Sequence, residues 1–250
     1  MSAEINLAIT KAMDPRQTTW RQPVRIPAGR VALEGELILP ANARGAVLFA
    51  HGSGSSRHSP RNQYVARVIR EAGIATLLFD LLTAEEEQLD AYTRHFRFDI
   101  GLLAERLVNA ADWLQESNQW IADQAPYEHL RVGLFGASTG GGAALVAAAM
   151  LRERVGAVVS RGGRPDLAGA ALPEVKAATL LIVGGEDGPV IELNETAYAR
   201  LRCKKEMRII PGATHLFEEP GTLELVAQTA TAWFSEHLQA LRASASNTTS

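Results

Sequence analysis

Between Gly45 and Ile210 the chain alternates short, mainly apolar runs with longer stretches whose apolar residues recur at helical spacing. The runs are AVLFA, ATLLF, RVGLF, AVVS, TLLIV and MRII. Runs so short and so largely apolar fit strands buried on both faces, as in a parallel sheet. The intervening helical stretches, 62–71, 98–115, 139–151, 191–201 and 222–241, are long enough for right-handed crossovers. Ahead of them, RQPVRIPAGRVALEGELIL over 21–39 alternates apolar and polar residues on either side of Pro27-Ala28-Gly29. That pattern predicts a β-hairpin at the edge of the sheet. The expected fold is therefore α/β: a mostly parallel central sheet with an N-terminal hairpin and helices on both faces.

No break in composition and no repeat divides the pattern, so it predicts one domain over 21–241, a flexible N-terminal arm over 1–20 and a flexible tail over 242–250. At 250 residues and 46% hydrophobic, the chain can bury one sizeable core. Twenty-five basic against 28 acidic residues leave a formal charge of −3, which argues against nucleic acid or an anionic membrane as partner. The lone Cys203 cannot form an internal disulfide, and no apolar run approaches the ~20 residues of a membrane span. With no signal-peptide pattern at the start, the expected location is cytoplasmic.

In an open parallel sheet, reactive groups collect in the loops leaving the carboxyl ends of the strands. There the chain delivers His51-Gly52-Ser53-Gly54-Ser55-Ser56, then Asp80, then Gly136-Ala137-Ser138-Thr139-Gly140. Arg161, Gly184-Gly185-Glu186-Asp187 and Pro211-Gly212-Ala213-Thr214-His215 follow. A serine, a carboxylate and a histidine thus emerge in that order. Ser138 stands in a Gly-x-Ser-x-Gly turn between a buried-type strand and a helix. Such a turn forces strained backbone angles on the serine and lifts its hydroxyl above the sheet beside the positive end of the helix. A serine that merely caps a helix would produce the same five residues; the later acid and base distinguish the two.

The order of these motifs resembles the α/β-hydrolase superfamily, and over nearly all of 21–241 its single-domain, dienelactone-hydrolase-like branch. The resemblance implies Ser138 as nucleophile, Asp187 in GGEDGPV as acid and His215 in PGATHLF as base. It also implies an oxyanion hole from the main-chain N–H groups of Thr139 and Ser53, while the short stretch of about fifteen residues after the Arg161 strand predicts little or no lid. Dienelactone hydrolases carry a cysteine at the elbow and a glutamate where this chain has His51. Here the elbow residue is a serine.

A serine hydroxyl needs a base to take its proton, and the base needs an acid to fix its tautomer. Glu186 competes with Asp187 for the acid's place, and His215 could instead be an exposed loop residue. His51 is expected to brace its loop, and His58, His95, His129 and His237 to be surface or core residues. Cys203 is expected to pack. Neither HGSGSS nor GASTGGG is followed by the Lys-Ser/Thr of a nucleotide-binding loop. Arg161 could bind a substrate carboxylate, or else pair with Asp80 or Asp166 to fix the loops. The acid-rich stretch LLTAEEEQLDAYTRHFRFDIG reads as a solvated loop, with Tyr92, Phe96 or Phe98 available to line a pocket mouth.

The expected activity is cleavage of a small ester, thioester or lactone through an acyl-enzyme, with no cofactor and no metal. The rival expectation is a non-catalytic small-molecule receptor on a hydrolase fold. Nothing in the sequence separates a monomer from a homodimer.

Overall fold

The computed structural model describes residues 19–41, 43–117 and 130–238. Of the expected arm only Thr19 and Trp20 fall within it, both in a strand, and the tail 242–250 and His129 lie outside the described residues. Strands β1 (Thr19–Ala28) and β2 (Val31–Pro40) form an antiparallel hairpin. It reverses at Gly29-Arg30, the end of the anticipated tripeptide: Pro27 still pairs with Ala32, and Gly29 takes the left-handed φ of 65° that the turn requires.

The apolar runs become β3 (Gly45–Ala50), β4 (Ala75–Phe79), β5 (Arg131–Ala137), β6 (Val155–Arg161), β7 (Ala178–Gly184) and β8 (Lys205–Ile210). All eight strands lie in one sheet of order β1-β2-β4-β3-β5-β6-β7-β8. The hairpin occupies one edge, β2 joins β4 antiparallel, and every pairing from β4 onward is parallel.

Among the described residues six α-helices accompany them: α1 (Pro60–Glu71), α2 (Ala84–Thr93), α3 (Ile100–Glu116), α4 (Thr139–Leu151), α5 (Gly188–Arg200) and α6 (Thr222–His237). Period-2 alternation sends each strand's side chains to opposite faces, and two cores result. Leu48, Leu77, Leu134 and Leu181 pack under α3, α4 and α5, while Phe49, Phe135, Val159 and Ile182 pack under α1 and α6. Burying one such side chain fully contributes about 1.5–3 kcal/mol.

Helix α2 overturns the reading of 81–101 as a loop. Its AEEEQLDAYT sequence buries only Asp90, so it lacks the apolar stripe by which a helix is recognised. A capping box holds it instead: the Thr83 hydroxyl accepts from the Glu86 N–H at 3.2 Å, and the Glu86 carboxylate accepts from the Thr83 N–H at 2.8 Å. Between β6 and β7 the chain makes short 3-10 turns over Pro165–Glu174.

Candidate active site

The site forms where β3, β5, β6, β7 and β8 end. Ser138 sits between β5 and α4 with φ 52° and ψ −123°, a conformation that costs of order 1–3 kcal/mol for a residue with a Cβ. Its surroundings hold that strain in place. Its N–H donates to the Arg161 carbonyl at 3.3 Å, and its own carbonyl accepts from the N–H groups of Gly141 and Arg164, each at 3.0 Å. The turn closes so tightly that a methyl group at Gly140 would stand 2.3 Å from the Ala50 carbonyl oxygen. One at Gly136 would stand 2.3 Å from the Gly140 oxygen. The motif's glycines are thus a steric requirement of strand, turn and helix meeting at one point.

His215 follows β8, and its Nδ1 lies 2.7 Å from Asp187 Oδ2 at the end of β7. Glu186, one residue earlier, is not a partner of the imidazole; its N–H is tied to the Ala213 carbonyl at 2.9 Å. A carboxylate at Nδ1 places the ring proton there and leaves Nε2 as the basic nitrogen. The imidazole is half-buried, and its loop is not simply exposed. Ser138 and His215 line one cavity of about 240 Å³ together with Ser53, Ser59, Arg61, Asn62 and Arg161. The hydroxyl and the ring make no hydrogen bond to each other here; catalytic contacts of this type often close only around substrate.

The loop after β3 lies against the elbow: a methyl group at Gly52 would be 3.1 Å from the Ser138 Cβ. The Ser53 N–H donates to the Thr139 hydroxyl at 3.0 Å, while the Thr139 N–H belongs to the first turn of α4, whose amides have no partner within the helix. His51 braces this loop. Its Nε2 accepts from the Leu81 N–H at 3.0 Å, so the proton rides on Nδ1, 3.0 Å from the Gly52 carbonyl. Burial pushes the His51 pKa below the ordinary imidazole value, and the ring stays neutral. The same loop also walls a larger adjoining cavity of about 470 Å³, closed by Leu81, Leu82, Glu87, Asp90, Arg97 and Leu103.

Residues 33–244 match the family model described as "Dienelactone hydrolase family". The chain belongs to that family. A crystal structure of dienelactone hydrolase from Anabaena variabilis superposes with a TM-score of 0.84 at 60% sequence identity, covering 89% of this chain and all of the other. Est1E from Butyrivibrio proteoclasticus shares the fold, with a TM-score of 0.68 at 16% identity, covering 86% of this chain and 98% of its own. A Mycobacterium tuberculosis protein provisionally named a phosphoribosyl transferase is 56% identical over 231 residues, which are 92% of this chain and 49% of that protein. The chain therefore spans about half the length of the curated relatives it matches.

Within this member of the family, Arg161 does not form the ion pairs considered for it. Asp80 pairs with Arg57, and Asp166 pairs with Arg164 at 2.8 Å. Arg161 is only 5% exposed, and its Nη2 donates to the neutral Asn62 Oδ1 at 3.2 Å. Desolvation, with a smaller contribution from the charge of Arg61, brings its pKa down to about 10. The aromatic lining expected from 81–101 is also corrected. Tyr92 and Phe98 point to solvent and Phe96 packs on the core, while Glu87, Asp90 and Arg97 supply the wall of the larger cavity. Arg97 pairs with Asp90 within the segment, while burial, and next the charge of Asp80, push the Glu87 carboxyl above its ordinary pKa.

Arg61 and Asn62 lie in the cavity wall unanticipated by the sequence. The available signal was positional: α1 begins at the carboxyl edge of the sheet, so its first turn faces the site. His58 and His95 are exposed, and His237 stacks on Trp233 with ring centroids 4.3 Å apart. Cys203 is half-buried against the core, its Sγ 3.6 Å from Thr179 Oγ1. Among the described residues no helix is long and apolar enough to cross a membrane.

Proposed function

We propose that this hydrolase is a cytoplasmic serine esterase, acting as a single domain over 21–241 on a small ester, thioester or lactone. The observation that carries the reading is the strained Ser138 sharing one cavity with an imidazole that Asp187 holds at 2.7 Å. Ser138 Oγ attacks the acyl carbon as His215 Nε2 takes its proton, and the imidazolium forms against the Asp187 carboxylate. The Thr139 N–H donates to the tetrahedral oxyanion, and the Ser53 N–H, still held in place by the Thr139 hydroxyl, joins it through a three-centre bond. His215 returns the proton to the leaving alcohol or thiol, leaving an acyl-enzyme. Water, deprotonated by the same nitrogen, then releases the acid and restores Ser138. The lone cysteine supports a reducing location.

A fluorophosphonate probe and a panel of short-chain p-nitrophenyl and thioester substrates test the assignment. Labelling and turnover are expected in the wild type and absent in Ser138→Ala; labelling that persists in that variant means another nucleophile. Tight saturable binding of a small molecule without any turnover would instead favour a receptor.

A further inference from the structure

Resting on the esterase reading above, we propose that the cavity beside Ser138 contains an anion subsite, in which Arg161 and Arg61 hold a carboxylate or phosphate group of the substrate. The first observation is an uncompensated cation. Arg161 is 5% exposed, among the described residues its guanidinium has one hydrogen-bond partner, the Asn62 amide oxygen, and its Nε is buried without an acceptor. The Phe217 ring, 5.7 Å from the guanidinium carbon, offers partial compensation but no acceptor in the plane of the fork.

The cavity itself supplies no acid. Its walls hold Arg61 and Arg161 but, among the described residues, no aspartate or glutamate. Nearby carboxylates are engaged elsewhere: Asp80 with Arg57, Asp166 with Arg164, Asp187 with His215 and Glu218 with Arg61 Nη1 at 3.0 Å. Even so, the Arg61 Nε is also buried and unpartnered. The first turn of the twelve-residue α1 faces the same space through Ser59, Arg61 and Asn62, adding the positive end of a helix. A buried cation without a counter-charge is a standing cost, and an oxyanion from the substrate would remove it. Arg161 presents a planar fork suited to two oxygens.

Geometry then limits the substrate. Arg161 is the register partner of Ala137, the residue before the elbow, so the backbone that carries the guanidinium lies about one strand spacing, roughly 5 Å, from the backbone that leads into Ser138. A methyl group on Gly162 would be 3.7 Å from His215 Cε1, which puts the arginine's strand end beside the base as well. A cavity of about 240 Å³ fits a short acid half-ester or a small phosphorylated ester.

The test compares pairs matched in length: p-nitrophenyl valerate against the p-nitrophenyl monoester of glutaric acid, and 4-tert-butoxyphenyl acetate against 4-acetoxyphenyl phosphate. The wild type is expected to prefer one anionic member about 10-fold or more in kcat/KM, and Arg161→Met to lose at least tenfold of that ratio. Arg25→Gln, on the distant hairpin, should keep it. In parallel, glutarate and inorganic phosphate are titrated calorimetrically into Ser138→Ala protein, with saturable binding expected and its loss expected when Arg161→Met is added. Which anion binds identifies the group. Should Arg161→Met fail to fold, Arg161→Lys keeps the charge without the fork and is expected to weaken the ratio several-fold. Ser138-dependent turnover with an Arg161-independent ratio, or no saturable binding of either anion, overturns the subsite. Arg161-dependent binding without ester turnover would leave the subsite standing and sink the esterase reading.

Discussion

The Ser53 N–H donates to the Thr139 hydroxyl at 3.0 Å across 86 residues of sequence, tying the loop after β3 to the first residue of the elbow helix. Because Ser53 and Thr139 are the two residues whose amides would meet the oxyanion, this bond sets their spacing. A typical net hydrogen bond contributes about 0.5–1.5 kcal/mol. Thr139→Val is therefore expected to lower kcat/KM for a p-nitrophenyl ester about 3- to 10-fold, whereas Thr139→Ser, which keeps the hydroxyl, remains near wild type. Equal values for the two variants would mean that the bond does not position the loop.

The contact between Asp187 and His215 yields a second expectation. Asparagine at 187 can donate to Nδ1, which stabilises the imidazole tautomer with its proton on Nε2 and removes the base from Ser138. Asp187→Asn should lower kcat about 10³- to 10⁴-fold with little change in melting temperature. Glu186→Gln, one residue away and not in contact with the ring, should stay within about twofold. Steady-state kinetics on the pair separates the two carboxylates directly.

Strands β3 to β7 and the elbow were legible because their causes are local. Apolar runs such as AVLFA mark double-sided burial, and glycine at 136 and 140 marks backbones in contact. The acid at 187 could be anticipated from its strand end, with Glu186 as its immediate competitor. Helix α2 was hidden because acidic residues and a capping box replace the apolar stripe on which periodicity depends. The environment of Arg161 was hidden for another reason. Its partner Asn62 is 99 residues away, and which acids remain for it depends on Arg57 and Arg164 having taken Asp80 and Asp166. Pairings of that kind are settled only when several strand ends meet.

Close packing at the elbow makes Gly140 a stability determinant as well as a part of the site. An added methyl group would meet the carbonyl oxygens of Ala50 and His51 at 2.3 and 2.7 Å, so backbone must move. Overpacking of this kind costs about 1–3 kcal/mol, or more where main chain is displaced. For a domain of this size Gly140→Ala should lower the melting temperature by roughly 4–10 °C. Differential scanning calorimetry would show it, and an unchanged transition would mean that the loop after β3 yields freely.

The buried ring of His51 gives stability a pH dependence whose direction follows from its environment. Desolvation holds the folded-state pKa below the roughly 6.5 of an exposed imidazole, so on acidification the unfolded chain takes up this proton first. The contribution is fully present above about pH 6.5 and is lost as pH falls towards the folded-state value. Protonation would also oblige Nε2 to give up the Leu81 N–H that it accepts at 3.0 Å. His51→Gln can offer both an acceptor and a donor but does not titrate. Comparing melting temperatures at pH 7.5 and pH 5, the wild type should lose more than the glutamine variant, because only the histidine is drawn towards the unfolded state by its proton. Parallel losses in the two proteins would show that the imidazole is not held neutral, and with it that the brace between Gly52 and Leu81 is not the one described.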